Sequence, residues 1–66
     1  MKWIDILNKI AKGEKPPKKI KWNMLQKDYQ VLIFDEEAME YRFENDYESF
    51  CTPPNHHLND DVEILN

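Results

Sequence analysis

The residues best equipped for chemistry are gathered in one short segment. Cys51-Thr-Pro-Pro-Asn-His56-His57 holds the single cysteine and both histidines within seven residues. Thiolate and imidazole are the preferred ligands of zinc, and a structural site takes four donors in a tetrahedron. Asp46, Glu48, Asp60 and Asp61 are the nearby acids available to complete such a shell. Pro53 and Pro54 stiffen the segment and lower the entropy cost of gathering ligands. The expectation is a structural zinc held by Cys51, His56 and His57. Adjacent histidines point apart in extended chain, so joint ligation needs a local kink. The same residues also read as an exposed polar loop with a half-buried thiol, and the pattern leaves both readings open.

Catalytic readings are weaker. A Cys51–His56 or Cys51–His57 nucleophile pair needs a base, a pocket and an oxyanion hole. A chain of 66 residues has little room for them. With one glycine there is no glycine-rich loop to cradle a phosphate. Three protein ligands and an open fourth position would suit hydrolysis, but no convincing base stands nearby. The expectation is a protein that is not an enzyme.

These residues must be positioned by a small scaffold. The length gives one domain spanning residues 1–66 and one core. Hydrophobic residues at 41% and charged residues at 33% describe a globular chain. One cysteine permits no internal disulfide. The opening MKWIDILNKIAKGEK is too polar for a signal peptide. No apolar run approaches a membrane span, so no membrane is expected among its partners.

Trp3, Ile4, Ile6, Leu7, Ile10 and Ala11 recur at helical spacing and predict an amphipathic helix over 3–12. Asp5 suits its first turn and Lys9 and Lys12 its last. Gly13 is placed to end it, and Pro16-Pro17 prevents continuation. Strands are predicted over 18–22, 29–34, 39–44 and 62–65, with a hairpin connection at 35–38. Residues 45–61 read as a long irregular loop, since Pro53 and Pro54 exclude a central strand. The expected fold is α+β: an N-terminal amphipathic helix packed on a small antiparallel β-sheet, with the long loop before the last, edge strand. Trp3, Ile4, Leu7, Ile10, Ile20, Val31, Ile33, Tyr41, Phe43 and Ile64 are the expected core, with Trp22 also fitting a core position.

Charge is strongly segregated. Residues 1–27 hold eight lysines against Asp5 and Glu14, a balance of +6. Residues 28–66 hold Arg42 against eleven acids, a balance of −10. This pattern reads either as solvated faces or as a bipolar surface whose acidic part meets basic protein. Lysines around Trp22 raise the question of nucleic acid. A single arginine and an acidic whole argue against direct nucleic-acid binding.

The opening MKWIDILNKIAKGEKPPKKIKW and the closing LNDDVEIL resemble a group of small proteins encoded by phages and prophages of Gram-positive bacteria. Their frame is MK-x-ID-x-LNKIA-x-GE, a P-KKIK stretch, an aromatic and acidic middle, and LND-x-VEI. The resemblance covers about half the chain and carries no catalytic motif. Residues 23–57, with the Cys51, His56 and His57 segment, lie outside any fixed pattern of the frame. Some small acidic phage proteins are anti-CRISPR proteins that inhibit the effector nuclease of type II systems, and the resemblance implies that role. The single cysteine and the want of a signal peptide or apolar span give the cytoplasm as the expected compartment, which on this resemblance is that of the bacterial host. Such a nuclease holds nucleic acid in positively charged channels, which an acidic protein can occupy. On this reading Glu36, Glu37, Glu40 and Arg42 meet the partner, with whichever of Tyr29, Tyr41, Tyr47 and Phe50 reach the surface as anchors. The alternative is a small zinc-stabilised phage adaptor or structural protein with no defence role.

Overall fold

A computed structural model describes residues 1–65, with Cys51 described in its backbone only. Helix α1 runs over Trp3–Ala11. Strands β1 (Lys19–Lys21), β2 (Val31–Asp35), β3 (Glu40–Phe43), β4 (Ser49–Cys51) and β5 (Glu63–Ile64) follow. They form one antiparallel sheet in the order β4-β3-β2-β1-β5, with α1 on one face. The α+β arrangement expected from the sequence is the one found.

The helix ends as the sequence predicts. Gly13 adopts φ +77°, which glycine reaches without strain. The Gly13 N–H donates to the Ile10 carbonyl at 3.1 Å and the Glu14 N–H to the Lys9 carbonyl at 2.9 Å. This is the Schellman pattern, and it satisfies carbonyls the last turn would leave bare. The other end is capped from afar. Lys2 offers no side-chain cap. Instead the Trp3 N–H donates to Asp60 O at 3.1 Å and the Ile4 N–H to Leu58 O at 2.8 Å. The chain near residue 60 therefore does the work a serine or aspartate does at many helix starts.

The core comprises Trp3, Ile6, Ile20, Trp22, Leu32, Phe34, Tyr41 and Val62, with Ile10, Leu25, Phe43 and Phe50 packed against it. Trp3 stacks on Phe50 at 5.6 Å between centroids and meets Trp22 edge-on at 5.5 Å. This core corrects the sequence expectation at several positions. In β2 the buried residues are Leu32 and Phe34, while Val31 and Ile33 lie half-buried on the opposite face. Val31-Leu32-Ile33-Phe34 is apolar at both parities, so alternation within it cannot choose a face. Pairing chooses: Leu32 lies opposite Ile20 and Phe43, and Phe34 opposite Tyr41. On the helix Ile6 is fully buried, whereas Ile4 and Leu7 are half-buried at the flanks of its face. Val62 is buried and Ile64 is exposed, because Ile64 lies on the edge strand.

The loop expected over 45–61 contains two elements, β4 and a single 3-10 turn over Asn55–His57. A three-residue strand is too short for alternation to reveal it. A further 3-10 turn over Lys27–Tyr29 takes the start of the segment expected to form the second strand.

Candidate binding surface

The acidic residues singled out in the sequence converge on the β2–β3 hairpin. Asp35 ends β2, and its Oδ1 accepts from the Glu37 N–H at 3.0 Å and the Ala38 N–H at 3.4 Å. The carboxylate thereby forms the turn in place of a backbone carbonyl. Its Oδ2 accepts from Arg42 Nε at 2.8 Å. Arg42 also lies 3.6 Å from Glu40 and donates to the Tyr47 carbonyl at 3.1 Å. Its guanidinium sits 5.3 Å from the centroid of the Tyr47 ring. One arginine thus ties the hairpin to the following turn over residues 44–48. The hydrogen bond from Arg42 holds the Asp35 carboxyl below its ordinary value of 3.8, assisted by the Ala38 N–H. The same bond raises the Arg42 pKa.

Glu36 and Glu37 are exposed at the hairpin tip, Glu36 lying 3.6 Å from Lys15. Glu40 and Arg42 point from β3 to the sheet face opposite α1, as their alternation with buried Tyr41 requires. Two residues in the turns at either end of β3 hold left-handed backbone without being glycine: Met39 at φ 56° and Tyr47 at φ 62°. Both are exposed, at 45% and 55%. Of the four aromatics considered as anchors only Tyr47 is exposed. Tyr41 is 1% exposed and Tyr29 and Phe50 are partly buried. Sequence reasoning missed Asp35 and Met39. An aspartate two residues before the amides it caps is the signal that marks Asp35; nothing in the sequence marks a left-handed methionine.

On the same face Lys19 and Glu44 form a 2.7 Å ion pair. Lys19 is on β1 and Glu44 follows β3, so their contact crosses over β2 at Val31 and Ile33. The pair spans the face on which half-buried Val31 and Ile33 lie. Beside it, Asp28, Val31, Glu44 and Asn45 line an open depression of about 310 Å³.

The structure places the imidazoles of the predicted metal site side by side. His56 and His57 rings lie 4.2 Å apart in the 3-10 turn. His57 Nδ1 is 2.8 Å from Asp60 Oδ2, and its ring meets Trp22 edge-on at 5.4 Å. The Cys51 side chain lies outside the described residues. Among the described residues no group of three or more His, Cys, Asp or Glu side chains is arranged to hold a metal ion. No described helix is long and apolar enough to cross a membrane. Compared with protein-family models, curated proteins and solved structures, the chain matches none.

Proposed function

We propose that this protein is a non-enzymatic inhibitor that docks its acidic hairpin on a basic surface of a partner. The partner implied by the phage-like frame is the effector nuclease of a type II CRISPR system, with target-DNA loading blocked. The observation that carries the reading is the presentation of Glu36 and Glu37. They project from a turn fixed by Asp35 and Arg42, with exposed Met39 in the same turn. A turn whose backbone is already fixed loses little main-chain entropy on docking. The lysines lend less to a competing nucleic-acid role. Lys9 and Lys19 are ion-paired, and Lys18 donates to the Phe34 carbonyl at 2.7 Å.

The test is retention of the purified nuclease on immobilised protein, with DNA cleavage measured alongside. Reversing Glu36, Glu37 and Glu40 to Lys should release the nuclease and restore cleavage, while circular dichroism stays unchanged. Binding should also weaken as salt shortens the Debye length from about 10 Å at 0.1 M to about 3 Å at 1 M. A reversed variant that inhibits as well as the parent removes this surface from the mechanism.

The second reading, a zinc-stabilised phage adaptor with no defence role, is favoured by one feature. A His57 whose Nδ1 is held by Asp60 resembles the carboxylate-oriented histidines of metal sites. Native mass spectrometry with zinc supplied decides it: a protein that stays metal-free leaves the cluster structural.

A further inference from the structure

The two edges of the sheet differ in how they are finished. Along β4 the pairing with β3 shifts register between Tyr41 and Arg42, and buried Pro53 follows closely. Bulges and prolines are the usual means of keeping a foreign strand off an edge. Strand β5 has neither; its only protection of this kind is its length of two residues, and it exposes Ile64 at 47% with Leu65 beside it at 37%.

The hydrogen-bond pattern says which atoms of β5 face outward. The Leu65 N–H donates to the Lys19 carbonyl at 2.9 Å, and Ile20 lies opposite Ile64. In an antiparallel ladder directly opposed pairs alternate between bonded and non-bonded. Ile64 therefore turns its N–H and C=O away from β1. Alongside, Met1 and Val62 exchange bonds, the Val62 N–H to Met1 O at 2.8 Å and the Met1 ammonium to Val62 O at 3.3 Å. Lys2 pairs with Asp61. Among the described residues, none pairs with the outward groups of Ile64.

We propose that this edge accepts an extended segment of a partner protein by strand addition, next to Ile64 and in line with residues 1 and 2. Side-chain parity sets the chemistry of the segment. Ile64 shares the face of Ile20, where Met1 is also 40% exposed, so alternate residues of the segment are apolar. Glu63 lies opposite Lys21 on the other face, with Asp61 two residues before it and both exposed. The intervening residues of the segment are therefore Lys or Arg. Main-chain bonds supply the affinity and this alternation the specificity. A second copy of β5 fits less well, since pairing about Ile64 brings the Glu63 carboxylates of the two chains together diagonally.

The probe is a short fluorescent peptide alternating lysine and valine, with an alternating glutamate and valine peptide as control. Fluorescence anisotropy should show binding of the first and none of the second, and the Ile64 amide should exchange more slowly in the complex. Ile64→Pro removes the outward N–H and the exposed isoleucine side chain and no bond to β1, so it should keep the melting temperature and weaken binding by about tenfold or more. If Ile64→Pro fails to fold, Ile64→Lys keeps the N–H and sets a charge among the apolar residues of the peptide on that face, and it should weaken binding similarly. Equal binding of the two peptides, no binding of either, or a folded Ile64 variant that binds like the parent would overturn the proposal. So would a concentration-dependent dimer that protects the Ile64 amide without peptide. The peptide contains no nuclease surface, so failure here leaves the hairpin reading standing, and failure of that reading leaves this one.

Discussion

Arg42 Nε reaches Asp35 Oδ2 diagonally across the β2–β3 pair, at 2.8 Å, for the residue directly opposite Asp35 is Glu40 and the one opposite Arg42 is Ile33. The diagonal closes the hairpin at its base and leaves Glu36 and Glu37 free of it. It also makes hairpin stability depend on acid. The folded-state pKa of Asp35 is below its unfolded value of 3.8, chiefly through Arg42. The stabilisation is therefore complete above that value and is lost as pH falls through the folded pKa. Melting temperature followed downward through this range should fall more steeply for the parent than for Asp35→Asn. Parallel curves would show that the pair adds nothing.

The alkaline limit belongs to Tyr41. Burial raises its pKa above the ordinary 10.0, and its hydroxyl donates to the Pro17 carbonyl at 2.7 Å. A raised folded pKa means stability that is full below pH 10 and lost as pH rises past it, because the unfolded chain ionises first. Tyr41→Phe should cost about 1 kcal/mol at neutral pH through the lost hydrogen bond. Its denaturation midpoint should then fall less than the parent's under alkali.

Met39 tests whether the left-handed hairpin residue is retained for contact. Left-handed backbone costs a side-chain-bearing residue about 1–2 kcal/mol, and glycine escapes that cost. Met39 is 45% exposed and contributes little burial. Met39→Gly should therefore leave stability unchanged or raise it by about 1 kcal/mol in urea denaturation, while weakening retention of the nuclease. A variant that binds fully would assign the methionine no contact role.

The helix face is tested by a pair of truncations. Ile6 is wholly buried and Leu7 half-buried. Ile6→Ala should cost about 2–5 kcal/mol and Leu7→Ala clearly less. Equal losses would mean that α1 is rotated about its axis relative to the sheet.

The helix and its stop were legible because α1 carries its own punctuation: a regular apolar stripe, then Gly13, then Pro16 and Pro17. Tyr41 and Ile20 were legible as core because charged neighbours on either side leave one choice of face. Val31 and Ile33 were misassigned because their neighbours Leu32 and Phe34 are equally apolar, and parity there is decided by strands distant in sequence. The acidic hairpin could be located from its composition. The diagonal bond that shapes it could not, since a sequence does not show which acid Arg42 will reach. The adjacency of His56 and His57 was legible, but the partnership with Asp60 arises from the 3-10 turn that brings position 57 within reach of position 60.

The distant cap on α1 has a kinetic consequence. A nine-residue helix is too short to persist alone in water. Its first turn is closed by carbonyls of Leu58 and Asp60, and the neighbouring Met1–Val62 contact joins residues 61 apart. The element that usually forms earliest therefore waits for the longest loop in the chain to close, a step that local propensity cannot hasten. Refolding should be slower than that of a helical domain built from local contacts. Far-ultraviolet ellipticity and tryptophan fluorescence should recover in one phase, with no early burst of helix.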